Sequence, residues 1–217
     1  MIDDLRPNIT EIKIEKRDAI FKAAIDVFAE FGYQCADVQE IANRAGVGKG
    51  TVYRYFINKE QLFWATSLYV IQSWCELLIP IFESRDDAAT KLRNLTIERS
   101  RFFENHPNCI EVMALQRAQF RGSIPENIHK YFHNQFFDPI MKVINDGVAR
   151  RELQIDDPQA FFHTYCAITH GATISYCHFE KFISLTEMTK LSIDTLLNGV
   201  QKFTCPTTDS EKSLPAQ

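Results

Sequence analysis

Three of the chain's eight glycines fall within five residues, in Ala45-Gly46-Val47-Gly48-Lys49-Gly50-Thr51, and no other feature constrains the fold as tightly. Glycine tolerates positive φ and weakens a helix interior by about 1 kcal/mol relative to Ala, so such a cluster marks a turn or a surface that something approaches closely. A phosphate-cradling loop is one candidate, but the Walker spacing is absent and no strand pattern precedes the glycines. The flanks are helical instead. Asp18 to Phe31 puts Ile20, Ala24, Val27, Phe28 and Phe31 on one face and stops at Gly32. Asp37-Val38-Gln39-Glu40 has the form of a capping box and opens a short helix that runs to about Ala45 and ends at Gly46. A second short helix covers Lys49 to Phe56. Two short helices that cross steeply and are pinned to a third make a helix-turn-helix. Ala42 supplies the small residue at the crossing and Gly46 the positive φ. Ile41, Val47, Val52 and Phe56 supply the apolar pins. The outer side of the second short helix then shows Gly48, Lys49, Gly50, Thr51, Tyr53, Arg54 and Tyr55. That set is small where a duplex backbone would come closest, and then offers hydroxyls and cations.

The rest of the chain reads as helix from end to end. Periodic segments cover Lys59–Ile79, Asp87–Asn105, Pro107–Phe120, Pro125–Arg151, Pro158–Phe182 and Thr186–Phe203. Pro107, Pro125 and Pro158 stand at helix starts, where a missing N–H costs little, and Pro139 is expected to kink the segment it interrupts. No alternating strand pattern of useful length occurs, so the fold class is all-α. Hydrophobic residues at 45% and charged residues at 24% exclude a disordered or fibrous chain, and 17 Phe point to an aromatic interior. The apolar window Leu62 to Phe82 carries Thr66, Tyr69, Gln72, Ser73 and Glu76 on one stripe, which suits a buried soluble helix better than a membrane span. The six cysteines include no CxxC pair and read as free thiols of a reducing compartment. The N-terminus carries early acids and no apolar core, so no signal peptide is read there, and the protein is expected to be cytoplasmic with no membrane association.

With these residues in register, the chain resembles the TetR family of transcriptional regulators. The resemblance rests on Gly32-Tyr33, on Val38, Ile41-Ala42 and Ala45, and on the run from Gly46 to Phe56. Lys59-Glu60 and Leu62 follow in step. It covers about a quarter of the chain. It implies a homodimer of all-helical subunits, each with an N-terminal three-helix DNA-binding domain and a larger helical domain that binds an effector. By the same resemblance, Lys49, Gly50 and Thr51 fall where base edges are contacted, and Tyr53, Tyr55 and Lys59 where phosphates are held. Phe56 belongs to the small core, and Arg44 is a further candidate contact. Ala36 and Gly48 stand where the family usually has Thr and Ser, which removes two hydroxyls that could have held a phosphate or a cap. The charge balance is compatible: the net charge of −4 excludes a uniformly basic surface, yet Arg44, Lys49, Arg54 and Lys59 are opposed locally only by Glu60. Residues 1–58 are the expected DNA-binding domain, 59–204 the effector-binding and dimerisation domain, and 205–217 a disordered polar tail.

Beyond Lys59 no motif is as specific. Gly171, Ile174, Leu196, Gly199 and Val200 are candidates for a dimer interface, the glycines because they allow close helix approach. On the Asp87–Asn105 wheel Leu92, Leu95, Thr96, Phe102, Phe103 and His106 form an apolar face with Arg99 at its centre. Arginine keeps its proton, so a buried Arg99 needs either an internal acid, with Glu76 as the candidate, or an anionic or polar effector; the internal pair is the favoured of the two. His163, Cys166 and His170 lie on one helix face, but a row along one helix does not wrap a metal ion, so they are read as polar lining of a cavity. Met113, Gln116, Phe120, Phe132 and Phe136 are candidate walls. No cofactor and no metal is expected. The function that follows is a ligand-responsive, DNA-binding repressor that holds a near-palindromic double-stranded operator as a dimer and is released by a small apolar or aromatic effector. A helical enzyme is disfavoured because no Ser-His-Asp set or pair of catalytic carboxylates is present. A protein-interaction module that keeps the fold without the DNA is the alternative.

Overall fold

The structure is a computed structural model that describes residues 9–120, 124–178 and 183–199, with side chains at 14–118, 124–176 and 183–199. The first helix, α1, spans Ile9–Cys35, with its regular geometry broken at Gly32, whose φ is 71° and ψ 169°. The positive φ at Gly32 turns the chain before Ala36 and ends the regular helix where the sequence placed its end. Helices α2 (Val38–Arg44) and α3 (Lys49–Tyr55) follow, joined through Gly46 at φ 66°. Asp37 caps α2 by accepting the Gln39 N–H at 2.8 Å. Its expected reciprocal partner Glu40 instead accepts from Arg44 Nε at 2.7 Å, so no capping box forms there. A capping arrangement forms at the next helix start, where Asn58 accepts the Gln61 N–H and the Gln61 side chain accepts the Ile57 N–H.

The three N-terminal helices close on Ile20, Ala24, Val27, Phe28, Ile41, Ala42, Val52 and Phe56, all buried. Each large member contributes roughly 1.5–3 kcal/mol relative to exposure. Phe31 departs from the expected face: it is 44% exposed and lies beneath the Arg44 guanidinium at 5.7 Å.

Helix α4 (Lys59–Glu83) is long and apolar enough to cross a membrane by length and composition, yet more than half of its apolar window is buried inside the fold. Thr66 and Ser67 are fully buried, donating to the carbonyls of Leu62 and Phe63. Thr66 therefore belongs to the packed side of α4 and not to a polar stripe. The helix also runs through Pro80 to Glu83, beyond the expected stop at Ile79; a proline in the last turn removes one N–H at an exposed end. Helix α5 (Ala88–Asn105) is capped by Asp87, and α6 (Pro107–Phe120) begins at its proline. The expected Pro125–Arg151 helix is three pieces: α7 (Glu126–Phe132), a π-helical turn (His133–Phe137) and α8 (Asp138–Ala149). Pro139 sits at the start of α8, and the widened turn before it absorbs the interruption that the sequence assigned to a kink. Helices α9 (Pro158–His178) and α10 (Leu185–Asn198) complete the bundle, and no sheet forms among the described residues. The expected ends at Phe182 and Phe203, and the 205–217 tail, lie outside the described residues.

Two close contacts hold the bundle in register. The Tyr165 hydroxyl on α9 lies 2.7 Å from Thr96 Oγ1 and 3.2 Å from the Leu92 carbonyl of α5, fully buried. Gly147 on α8 lets that helix come down on the start of α5, where any side chain at 147 would overlap the Ala88 and Leu153 side chains.

Candidate DNA-facing surface and ligand cavity

The outer side of α3 is small and polar. Gly48 and Gly50 are exposed, and a Cβ at either would meet nothing within 4 Å. Neither glycine is needed for internal packing, although Gly50 lies in a helix, where it costs about 0.5–1 kcal/mol relative to Ala. Tyr53 and Arg54 are exposed, Lys49, Thr51 and Tyr55 partly so, and Arg54 makes no ion pair among the described residues. Lys49 has only a loose ionic neighbour, Asp37 at 3.6 Å.

Two of the four expected cations are engaged differently. Arg44 pairs with Glu30 at 2.8 Å and Glu40 at 2.7 Å. Lys59 donates through Nζ to the carbonyls of Gln34 at 2.9 Å and Ala36 at 3.2 Å, and lies 5.1 Å from the Tyr33 ring centre. Lys59 thus closes the C-terminal end of α1. Its ammonium satisfies carbonyls that the Gly32 break leaves without helical partners, and it is not a free phosphate ligand. The basic face therefore reduces to Lys49 and Arg54, flanked by hydroxyls.

In the bundle, α4, α5, α6, α7, the π turn and α9 surround a cavity of about 260 Å³. Of the expected lining residues, Arg99, Phe103, Met113, Phe136 and His170 are there, together with the expected wall Phe132. Ile174, expected at a dimer interface, is at the cavity as well and 49% exposed, so it borders both the cavity and the outer face of α9. Trp74, Ile110, Glu111, Ala114, Arg117, Thr169 and Thr173 were not anticipated. Periodicity marks them as apolar or polar helix positions, but no spacing signals which neighbouring helices they will face.

Other expectations do not converge on it. His106 is exposed at the C-cap of α5, its ring tilted against Phe102 with centres 4.8 Å apart, because the helix ends one residue before it. His163 is exposed beside Phe162, and Cys166 is half-buried outside the lining. Gln116 is buried away from the cavity. The side chain of Phe120 lies outside the described residues, as does Val200. Gly171 is exposed with nothing within 4 Å of a Cβ, Gly199 is exposed, and Leu196 packs on the core.

Arg99 decides the character of the cavity. It is 8% exposed, and Glu76, the expected internal partner, is exposed on α4. Among the described residues no carboxylate lies within ion-pair distance of Arg99; its guanidinium has a 3.5 Å contact with Thr173 Oγ1 and stands over the rings of Phe103 at 4.8 Å and Trp74 at 5.7 Å. Removing such a charge from water costs several kcal/mol, which cation–π contacts of about 2 kcal/mol each offset only in part and without supplying hydrogen-bond acceptors. Burial, with a smaller contribution from Arg117, pushes the Arg99 pKa down to about 10, still charged at neutral pH. Burial and the nearby Arg99 likewise push His170 down to about 4, so it is neutral there. Burial raises the Cys166 thiol to about 11 and Cys75 to about 12, which keeps both protonated. The indole N–H of Trp74 is buried with no acceptor among the described residues. Two residues that line one cavity thus carry buried donors with too few acceptors among the described residues.

The sequence profile of bacterial regulatory proteins of the tetR family matches residues 20–66. The chain is 24% identical over 182 residues to the HTH-type transcriptional repressor NicS of Pseudomonas putida, covering 82% of this chain and 81% of that protein. It is 32% identical over 106 residues to the HTH-type transcriptional regulator RutR of Escherichia coli, a match spanning 46% of this chain and 49% of RutR. Among solved structures, FadR of Bacillus subtilis in complex with stearoyl-CoA superimposes with a TM-score of 0.74 at 20% identity, covering 85% of this chain and 99% of that one.

Proposed function

We propose, for a chain that belongs through residues 20–66 to the tetR family of bacterial regulatory proteins, that α3 reads a near-palindromic operator and that the bundle cavity holds the small apolar or aromatic effector that releases it. A ligand-responsive transcriptional regulator is the class of its relatives. The observation that carries the DNA assignment is the open space at Gly48 and Gly50: two glycines without an internal steric reason, side by side with Lys49, Thr51, Tyr53 and Arg54. Small residues there let a duplex backbone approach, Lys49 and Thr51 reach base edges, and Tyr53, Arg54 and Tyr55 hold phosphates. The working unit is a homodimer, with two α3 helices one helical turn of DNA apart. Exposed Gly171 and Ile174 on α9 and Leu191 on α10, the last 59% exposed, support these helices as the face between subunits. On this reading residues up to Asn58 form the DNA-binding domain and the bundle begins at Lys59.

Coupling between the two sites runs through α6 as well as α4. Helix α6 gives five residues to the cavity lining, and near its start Asn108 Nδ2 donates to Asp26 Oδ1 of α1 at 2.9 Å. Helix α4 lends only Trp74 to that lining. An occupant that displaces α6 therefore shifts α1, and with it the recognition helix.

Fluorescence anisotropy with duplex DNA from upstream of the protein's own gene, in a salt series, tests the DNA assignment. Tight binding that weakens steeply with salt and is lost in Tyr53→Ala supports it. Absence of any sequence-specific site in a genome-wide selection overturns it in favour of a protein-interaction module.

A further inference from the structure

We infer that the occupant of the bundle cavity is a small monocarboxylate with an apolar body, its carboxylate held by the Arg99 guanidinium and the Trp74 indole N–H. The inference deepens the effector reading above and rests on it for the regulatory consequence only; the anion site itself is argued from the cavity.

Three observations converge. The guanidinium of Arg99 is buried among aromatic rings, with one long contact to Thr173 and no acid partner among the described residues. The Thr173 hydroxyl already donates to the Thr169 carbonyl at 3.0 Å, so it does not complete the set of acceptors that five guanidinium N–H groups require. The indole N–H of Trp74, whose ring lies 5.7 Å from Arg99, is a second buried donor without an acceptor among the described residues. A planar carboxylate brings two oxygens that match a guanidinium fork and leave lone pairs for a neighbouring N–H.

Charge and size narrow the class. The lining contains two cations, Arg99 and Arg117, and one carboxylate, Glu111, with His170 neutral, so the excess is a single positive charge. That excess matches a monoanion; a phosphate dianion would be left half-compensated, and an ammonium would meet Arg99 with no buried acid to receive it. Apart from Thr169 and Thr173 the remaining wall is apolar, with Ile110, Met113, Phe132 and Phe136 among its residues. A volume of about 260 Å³ holds on the order of ten non-hydrogen atoms at the volume a liquid water occupies, which is the size of a short fatty acid or an aryl acid.

The test uses the full chain and four probes in two matched pairs: phenylpropionate with phenylpropionamide, and octanoate with octanamide. Calorimetric titration of the wild type is expected to show at least one acid binding ten-fold or more tightly than its amide. Arg99→Met replaces the buried charge with an apolar side chain of similar length, which leaves folding intact, as circular dichroism and melting will verify. In that variant the acid-over-amide preference is expected to vanish while the amide still binds. Trp74→Phe keeps the aromatic wall and removes the N–H, with a several-fold loss confined to the acid. Equal binding of acid and amide by the wild type, binding of neither acid, or an undiminished preference in folded Arg99→Met overturns the inference. The same probes are added to the protein–operator complex. Acid binding that leaves the operator complex intact would remove the effector reading while leaving the anion site standing. Release by an amide as readily as by its acid would do the reverse.

Discussion

Helix α3, proposed to read DNA, and the bundle cavity use the same residue types for opposite reasons. Around α3, Arg44 and Lys59 are tied to Glu30, Glu40 and two backbone carbonyls, so these cations are satisfied by the protein itself. In the cavity, Arg99 is buried with no acid partner among the described residues. Glycines differ in the same way. Gly50 has empty space beside it, whereas Gly147 is wedged against Ala88 and Leu153. Residue type therefore does not say whether a site faces inward or outward. What does is the set of partners and the space that the fold provides.

The largest effect expected concerns the packing that holds α3 in place. Phe28→Ala removes a fully buried ring that meets Phe63 edge-on at 5.1 Å, and should lower stability by about 3–5 kcal/mol in chemical denaturation. DNA binding should be lost with it. If operator affinity survives that loss, the N-terminal core is not what positions the recognition helix.

Gly147→Ala should cost about 1–3 kcal/mol, because overpacking forces α8 away from α5. For a chain of this size that is a fall in Tm of roughly 2–4 °C per kcal/mol, with operator affinity unchanged in the folded population.

The cavity predicts a pH dependence that the DNA-binding domain does not share. His170 has a folded pKa of about 4 against an ordinary value of 6.5, so the unfolded chain binds more protons between those values. Stability is therefore full above pH 6.5 and declines as pH falls toward 4, by roughly 2 kcal/mol between pH 7 and 5. His170→Gln should flatten that part of the profile in melts across the range. A carboxylate in the cavity would offset the positive Arg99 and raise the His170 pKa, which proton NMR of the imidazole would register.

The two smallest effects lie on α3. Arg54→Ala should reduce the slope of log affinity against log salt by about one per half-site. Gly50→Ala should raise stability by about 0.5–1 kcal/mol while weakening operator binding. A stabilised variant with undiminished affinity would show that the space beside Gly50 is not filled by DNA, and the contrast with Gly147 would lose its functional half.

Much of the local structure was legible along the chain. Gly32 and Gly46 end helices because only their positive φ lets the backbone turn there. Asp87, Pro107 and Pro158 open helices where the sequence placed the starts. The short-helix pair that carries the proposed DNA-facing surface was legible for the same reason: it lies within a short stretch whose glycines and aromatics report on their near neighbours. The cavity was half legible. A helical wheel put Arg99 and Phe103 on one inward face, but it extended that face to His106, which the end of α5 turns outward.

What the sequence by itself determined is therefore what depends on contacts a few residues apart: the all-helical class, the caps and breaks, the short-helix pair and the amphipathic faces. Tertiary structure alone decided which side chains meet across helices. It set Lys59 on the end of α1, placed Trp74 of α4 beside Arg99 of α5, and left Glu76 in solvent. The physical reason is range. Backbone hydrogen bonding and helical periodicity are fixed by neighbours within a turn or two, whereas whether a buried charge finds an acid depends on how whole helices rotate and slide when they pack.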